Sequence, residues 1–170
     1  MKIVGLMAIL LMLSSCARMP ETIQPVTGFD LESYLGKWYE IARLDHRFER
    51  GLEQVTATYA LNSDGSVRVT NRGFSTISNE WKEAVGKAKL AGDENTGHLK
   101  VSFFGPFYGS YVIFELDKES YQYAFVTSGN SSLWLLAREP VIGDELKDRF
   151  LNMVSQAGYN TQELIFVNQE

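Results

Sequence analysis

The sequence predicts an all-β domain of eight main antiparallel strands, arranged as a barrel or a sandwich, with one amphipathic α-helix packed outside and a short final strand. Two observations carry this expectation. From residue 28 onward, short segments rich in aromatic and β-branched residues recur with turn signals at intervals of about ten residues. After Pro140 the apolar period changes from alternation to helical spacing.

Taken in order, the chain opens on a segment outside that pattern. Lys2 gives a positive start, Ile3 to Leu13 an apolar run, and Ser14 and Ser15 small residues, which is the make-up of an export signal over residues 1–15. A permanent membrane helix needs about 20 apolar residues, more than this run supplies. Leu13-Ser14-Ser15-Cys16 resembles a bacterial lipobox. The resemblance implies diacylation of the Cys16 thiol, cleavage before it and acylation of the new amino end; a terminus carrying several acyl chains would hold to a bilayer in effect permanently. By the sorting pattern of such lipoproteins, Ala17 in place of Asp implies passage to the outer membrane. Residues 16–27, with Pro20, Pro25 and little periodicity, read as the lipidated N-terminus and a tether, and residues 28–170 as the domain.

The eight main strands read as Trp38 to Leu44, Gln54 to Asn62, Ser66 to Gly73, Trp81 to Leu90, His98 to Phe103, Tyr111 to Leu116, Tyr121 to Thr127 and Leu133 to Arg138. Asn62-Ser63-Asp64-Gly65 and Ser128-Gly129-Asn130-Ser131 offer the positive φ angles of tight hairpins, so their flanking strands are neighbours. Leu146, Phe150, Met153, Val154 and Ala157 then recur at helical spacing, with Asp144 and Glu145 at the start and Gly158 as the stop. Glu163 to Val167 returns to the sheet as a last strand.

Within the second strand Val55, Ala57, Tyr59 and Leu61 share one face, and small Ala57 between larger neighbours leaves room. Along the eighth strand Trp134 and Leu136 alternate with Leu133, Leu135 and Ala137. Both faces are apolar, so one packs on the helix and the other faces inward. A closed barrel of eight strands has an interior just wide enough for side chains or one small ligand.

Composition narrows the function. A net charge of −5 and a pI near 5.1 argue against nucleic acid as a partner, which takes clustered cations on phosphates. One cysteine in an exported chain leaves no internal disulfide. There is no Gly-x-Ser-x-Gly elbow, no His-Glu-x-x-His pair and no glycine-rich phosphate loop; His46 and His98 stand far apart without a metal-ligand pattern. Neither a catalytic set, a metal nor a cofactor is expected, and His46 reads as a hydrogen-bonding loop residue.

Gly36-Lys37-Trp38-Tyr39-Glu40 resembles the first lipocalin signature, and Arg138 closing Trp134-Leu135-Leu136-Ala137-Arg138 is similar to the third. The second is degraded to Leu116-Asp117-Lys118 ahead of Tyr121-Gln122-Tyr123-Ala124. Tyr39-Glu40-Ile41-Ala42-Arg43, Asp45 to Gly51, Val55-Thr56-Ala57-Thr58-Tyr59 and Lys100 to Gly109 resemble the bacterial outer-membrane lipocalins, relatives of apolipoprotein D. The resemblance implies an eight-stranded up-and-down β-barrel in which Trp38, after Gly36, plugs the closed end and Arg138 stacks over it.

It also implies binding of a fatty acid or lysophospholipid for storage or transport in envelope maintenance. Strand parity together with the resemblance assigns Val55, Ala57, Tyr59, Val69, Asn71, Trp134 and Leu136 to the ligand wall, with Tyr108 and Tyr111 nearer the mouth. A barrel filled by its own side chains, serving as an envelope docking module, and a lipid-modifying enzyme on the same scaffold are the competing readings. A membrane-spanning barrel is a further one, opposed by the lipobox, the charged helix and the polar ending. Arg47 and Arg50 suit a lipid phosphate at the open end with Phe48 as lid, though a solvated loop of mixed charge is the plainer reading. Phe103 to Tyr108 packs four aromatics around Gly105-Pro106, as a rim or a homodimer contact.

Overall fold

The computed structural model describes residues 20–170; the signal segment, Cys16 and residues 17–19 lie outside the described residues. Nine strands form one antiparallel sheet: β1 (Gly36–Leu44), β2 (Leu52–Leu61), β3 (Val67–Ser75), β4 (Glu80–Leu90), β5 (His98–Phe104), β6 (Phe107–Leu116), β7 (Tyr123–Gly129), β8 (Ser132–Ala137) and β9 (Leu164–Phe166). Each of β2 to β7 pairs with the next in sequence, β8 pairs with β1, and β1 pairs back onto β2. The ring is therefore closed, and the barrel expected from the signatures is the one observed. One end is plugged and the other open.

Alternation sorts side chains between two cores. Tyr59, Val67, Val69, Leu99, Val126 and Leu136 face inward with Trp38 and Tyr34 at the closed end. Leu133, Leu135, Ala137, Val112 and Phe125 face outward and are covered by Phe150 and Val154 of helix α2 (Asp144–Gln156). The helix stops at Gly158, whose φ of 90° is open to glycine, while the Tyr159 and Gly158 amides donate to Val154 and Ser155 carbonyls. Among the described residues, the buried members of both cores lie between Ile23 and Tyr159.

Several local expectations shift. Ile23 to Thr27, expected as tether, dock on the barrel: Ile23 is buried in the helix-side core, the Val26 amide donates to Ile113 O at 2.9 Å, and Thr27 bridges Thr96. Apolar side chains and paired backbone hold the segment down. A short helix, α1 (Leu31–Tyr34), was not foreseen; Asp30 caps it by accepting from the Ser33 amide at 2.9 Å.

β6 begins at Phe107 rather than Tyr111, and β7 at Tyr123 rather than Tyr121. Asp117 explains the second shift. It accepts from the amides of Glu119, Ser120 and Gln122, winding the β6–β7 turn so tightly that Tyr121 takes a φ of 55°. The degraded second signature thus keeps the carboxylate that builds its turn.

Candidate functional site: the barrel cavity

At the closed end, Arg138 lies over the Trp38 ring at 3.8 Å. Its guanidinium donates to the carbonyls of Lys37, Ser33, Tyr34, Leu35 and Tyr121, and Trp38 Nε1 donates to Tyr34 O at 2.8 Å. Arg138 therefore satisfies the carbonyls that α1 and the start of β1 leave unpaired. Gly36, at a φ of 97°, gives the guanidinium its space: a Cβ there would stand 3.3 Å from Arg138 Nη1.

Above this plug three phenols make a floor. Tyr111 Oη lies 2.8 Å from both Tyr34 Oη and Tyr59 Oη. Burial pushes the Tyr59 phenol up to about 12 and holds the Tyr34 and Tyr111 phenols well above the ordinary phenol range, so all three are neutral near pH 7.

A cavity of about 730 Å³ runs from this floor to the open end, within the ordinary range for small-molecule pockets. Of the residues assigned to the wall, Val55, Ala57, Tyr59, Val69, Asn71, Trp134 and Leu136 all line it. Tyr111 lines it too, but at the floor rather than near the mouth. Tyr108 projects from the opposite face of β6, with the Lys89 ammonium 5.8 Å from its ring. Because β6 starts four residues earlier than expected, Tyr111 sits about 13 Å deeper, and parity sends Tyr108 outward. Val101 and Phe103 of β5 complete the wall.

Near the mouth the cavity turns polar. Glu40, sharing Trp38's inward parity, is buried and takes Arg43 Nη1 at 2.8 Å. Arg43 Nη2 donates to the carbonyls of Glu49 and Leu52, fastening the loop between β1 and β2. Glu49 accepts from Trp134 Nε1 at 3.1 Å and lies 2.7 Å from His46 Nε2. Burial, then the neighbouring Glu49 charge, raises the Glu40 carboxyl well above its ordinary range despite Arg43. Burial also pushes Glu49 upward, but His46, Trp134 and Arg43 outweigh it and hold that carboxyl low. The buried Arg43 and Glu40 and the partly buried Glu49 carry no sequence signal of a site except that Glu40 stands two residues after an inward Trp38.

The rim is aromatic and uncovered. Phe48, Phe104 and Phe107 are 60%, 67% and 80% exposed, and the Phe48 and Phe104 rings stand 5.8 Å apart. Arg47 lines the mouth with its guanidinium 4.7 Å from the Phe48 ring. Arg50 is engaged by Asp45 at 2.7 Å on the surface and does not line the cavity.

The family model for a lipocalin-like domain matches residues 29–169. The outer membrane lipoprotein Blc of Vibrio cholerae is 52% identical over 171 residues, covering 100% of both chains. Mouse apolipoprotein D is 28% identical over 152 residues, covering 84% of this chain and 78% of its own. The solved structure of insecticyanin from the tobacco hornworm superposes with a TM-score of 0.70 at 21% identity, over 89% of this chain and 86% of that one. Lipocalins are binding proteins for small apolar molecules, and the cavity is of that kind. The chain belongs to the lipocalin family, among its bacterial outer-membrane lipoproteins and in the branch that includes apolipoprotein D.

Proposed function

We propose that this lipocalin holds one elongated single-chain lipid, a fatty acid or a lysophospholipid, in its barrel and stores or moves it during maintenance of the cell envelope. In this reading acylated Cys16 anchors the protein in the outer membrane with the barrel facing the periplasm, and the wall residues are Val55, Ala57, Tyr59, Val69, Asn71, Trp134 and Leu136. The observation that carries it is the cavity of about 730 Å³, left unfilled by the chain's own side chains and walled mainly by carbon. That emptiness favours a lipid binder over the docking module with a filled barrel.

The energetics allow it. A chain of about sixteen carbons buried at roughly 0.8 kcal/mol per methylene offers up to about 13 kcal/mol. Association and ordering return about 4–15 kcal/mol of that, which leaves room for micromolar binding. Within the cavity the phenols are held neutral and the Glu40 and Glu49 carboxyls are engaged by Arg43, His46 and Trp134, while Ser110, among the lining residues, has its hydroxyl 2.9 Å from His98 Nε2. A binder returns its lipid intact, so turnover of added lysophospholipid is the outcome that would favour an enzyme.

Residues 17–170 purified without detergent are expected to carry fatty acid or lysophospholipid in native mass spectrometry, near one per barrel or per homodimer, with identity established after organic extraction. A folded domain that emerges empty and takes up neither lipid at high micromolar concentration refutes the reading.

A further inference from the structure

The wall of the barrel is not continuous on the side of β4. Its pairing with β5 runs from Leu90 opposite Leu99 to Lys87 opposite Ser102 and stops there. On its other edge β4 stays paired with β3 as far as Glu80 opposite Ser75. The stretch from Glu80 to Val85 is thus bound on one side only. Gly86 marks the base of the seam: a Cβ there would meet Ser102 O at 2.7 Å and the Phe103 ring at 2.9 Å.

Burial agrees. Ala88, Gly86, Ala84 and Lys82 share the inward face of β4; Ala88 is fully buried, whereas Ala84 and Lys82 are exposed. The cavity reaches this gap, since Lys82, Glu83 and Ala84 line it from one flank and Phe103, Phe104 and Phe107 from the other.

A second gap in the ring is treated differently. β1 leaves β2 beyond Tyr39, but there β9 pairs with β1, Gln169 Nε2 donates to Glu40 O and Val55 O, and the Gln54 amide donates to Asn168 O. Among the described residues no such stitch crosses from the upper half of β4 to β5. The axial route is narrowed: the β1–β2 loop carries Phe48 to 5.8 Å from the Phe104 ring of β5 and is tied by Glu49 to Trp134 on β8.

Charges of both signs flank the seam, Glu80 and Glu83 beside Lys82 and Arg72. Lys82 is held only by an exposed pair with Glu80 at 3.0 Å, and the exposed Arg72, its guanidinium 3.7 Å from the Trp81 ring, also lines the opening. An exposed pair of this kind yields readily to a phosphate, which Arg recognises well.

We propose that the seam between β4 and β5 is a lateral portal, through which a single-chain lipid with a phosphorylated headgroup enters broadside and beside which that headgroup remains. It rests on the lipid-binding reading and narrows it to ligands too wide at one end for an eight-stranded lumen.

The test bridges the seam in residues 17–170, which contain no cysteine, by Glu83→Cys with Phe104→Cys joined through a short bismaleimide. The same double variant capped with a monofunctional maleimide is the control, and Ala84→Trp, which narrows the gap from the inner face, is a second variant. Uptake of oleate and of 1-oleoyl-lysophosphatidylcholine is followed by stopped-flow tryptophan fluorescence. Bridging is expected to slow lysophospholipid uptake by about tenfold or more, and oleate uptake by less than about twofold, with Ala84→Trp showing the same bias. Equal rates for bridged and capped proteins, or equal slowing of both lipids, would place entry at the axial mouth and overturn the portal while leaving lipid binding intact. A control protein that takes up neither lipid overturns the reading beneath it as well.

Discussion

The two ends of the barrel solve opposite problems with similar residues. At the closed end a tryptophan and an arginine meet ring to guanidinium, and Arg138 donates to five backbone carbonyls. At the open end a tryptophan and an arginine also meet carboxylates and carbonyls, yet Arg43 Nε is buried with no partner among the described residues and Trp134 is anchored to a loop instead of the sheet. Three phenylalanines there face solvent. The closed end has spent its polar groups on holding the ring together. The open end keeps incompletely matched groups and bare carbon where a ligand has to pass, which is the distribution expected of a scaffold with its function grafted on one side.

The largest effect should come from breaking the closed end. Trp38→Ala removes a fully buried indole, its hydrogen bond to Tyr34 and the surface on which Arg138 rests. A loss of about 3–5 kcal/mol in denaturant unfolding is expected, large against the whole stability of a domain this size. Any fraction that still folds should bind lipid with near wild-type affinity, because Trp38 does not line the cavity. A small stability loss accompanied by a large binding loss would erase the division between the ends.

This division was unevenly legible in the sequence. The plug could be read because Gly36, Trp38 and Arg138 sit in local patterns, and the strands because alternation is a local property. What escaped was set by partners distant in the chain. Where β4 and β5 part is decided by pairing geometry, which neither strand's alternation records. The depth of Tyr111 depends on the first residue of β6, and Phe107 and Tyr108 look as much like a turn as a strand beside Gly105-Pro106. Ile23 and Val26 are lone apolar residues on either side of Pro25, and only the two cores they pack on show that they are not tether.

Next in size is a change to the wall itself. Trp134→Ala should cost more in lipid affinity than in stability: about tenfold to a hundredfold in Kd by titration, near 1.4–2.7 kcal/mol. Trp134→Phe separates the two roles of the side chain. It retains apolar wall but loses the N–H that reaches Glu49 at 3.1 Å, so affinity should largely return while lipid release quickens as the loop comes free. If Trp134→Phe were as damaging to affinity as Trp134→Ala, the hydrogen bond to the loop rather than the wall would dominate.

A smaller and pH-dependent effect belongs to the buried carboxyls. Glu40 is raised in the folded state, mainly by burial and then by Glu49, so the unfolded chain ionises it first. Its contribution therefore stands below the ordinary carboxylate pKa and is lost as pH rises through the raised value. Glu49, held low by His46, Trp134 and Arg43, has the opposite sign: its contribution stands above the ordinary pKa and is lost as pH falls. Glu40→Gln keeps an acceptor for Arg43 and removes the first effect, so the variant should gain on the wild type from about pH 4.5 upward, on the order of 1 kcal/mol. Unfolding midpoints measured across that range should diverge; parallel profiles would mean that Glu40 is ionised in the fold like an ordinary surface carboxylate.

The smallest change in stability should come from the rim. Phe107 is 80% exposed and belongs to neither core, so Phe107→Ser should shift unfolding by less than about 0.5 kcal/mol. Exposed carbon beside a cavity mouth nevertheless has somewhere to act. If the rim eases the passage of an acyl chain from a lipid surface into the barrel, transfer of fluorescent lysophospholipid from vesicles should slow in this variant while its Kd for the same lipid in solution stays put. If Phe107 instead meets a second copy, the variant should lower the dimer fraction in sedimentation and leave transfer unchanged at equal monomer concentration. A variant that destabilised the domain by several kcal/mol would remove the contrast altogether, since the open end would then be carrying the fold as the closed end does.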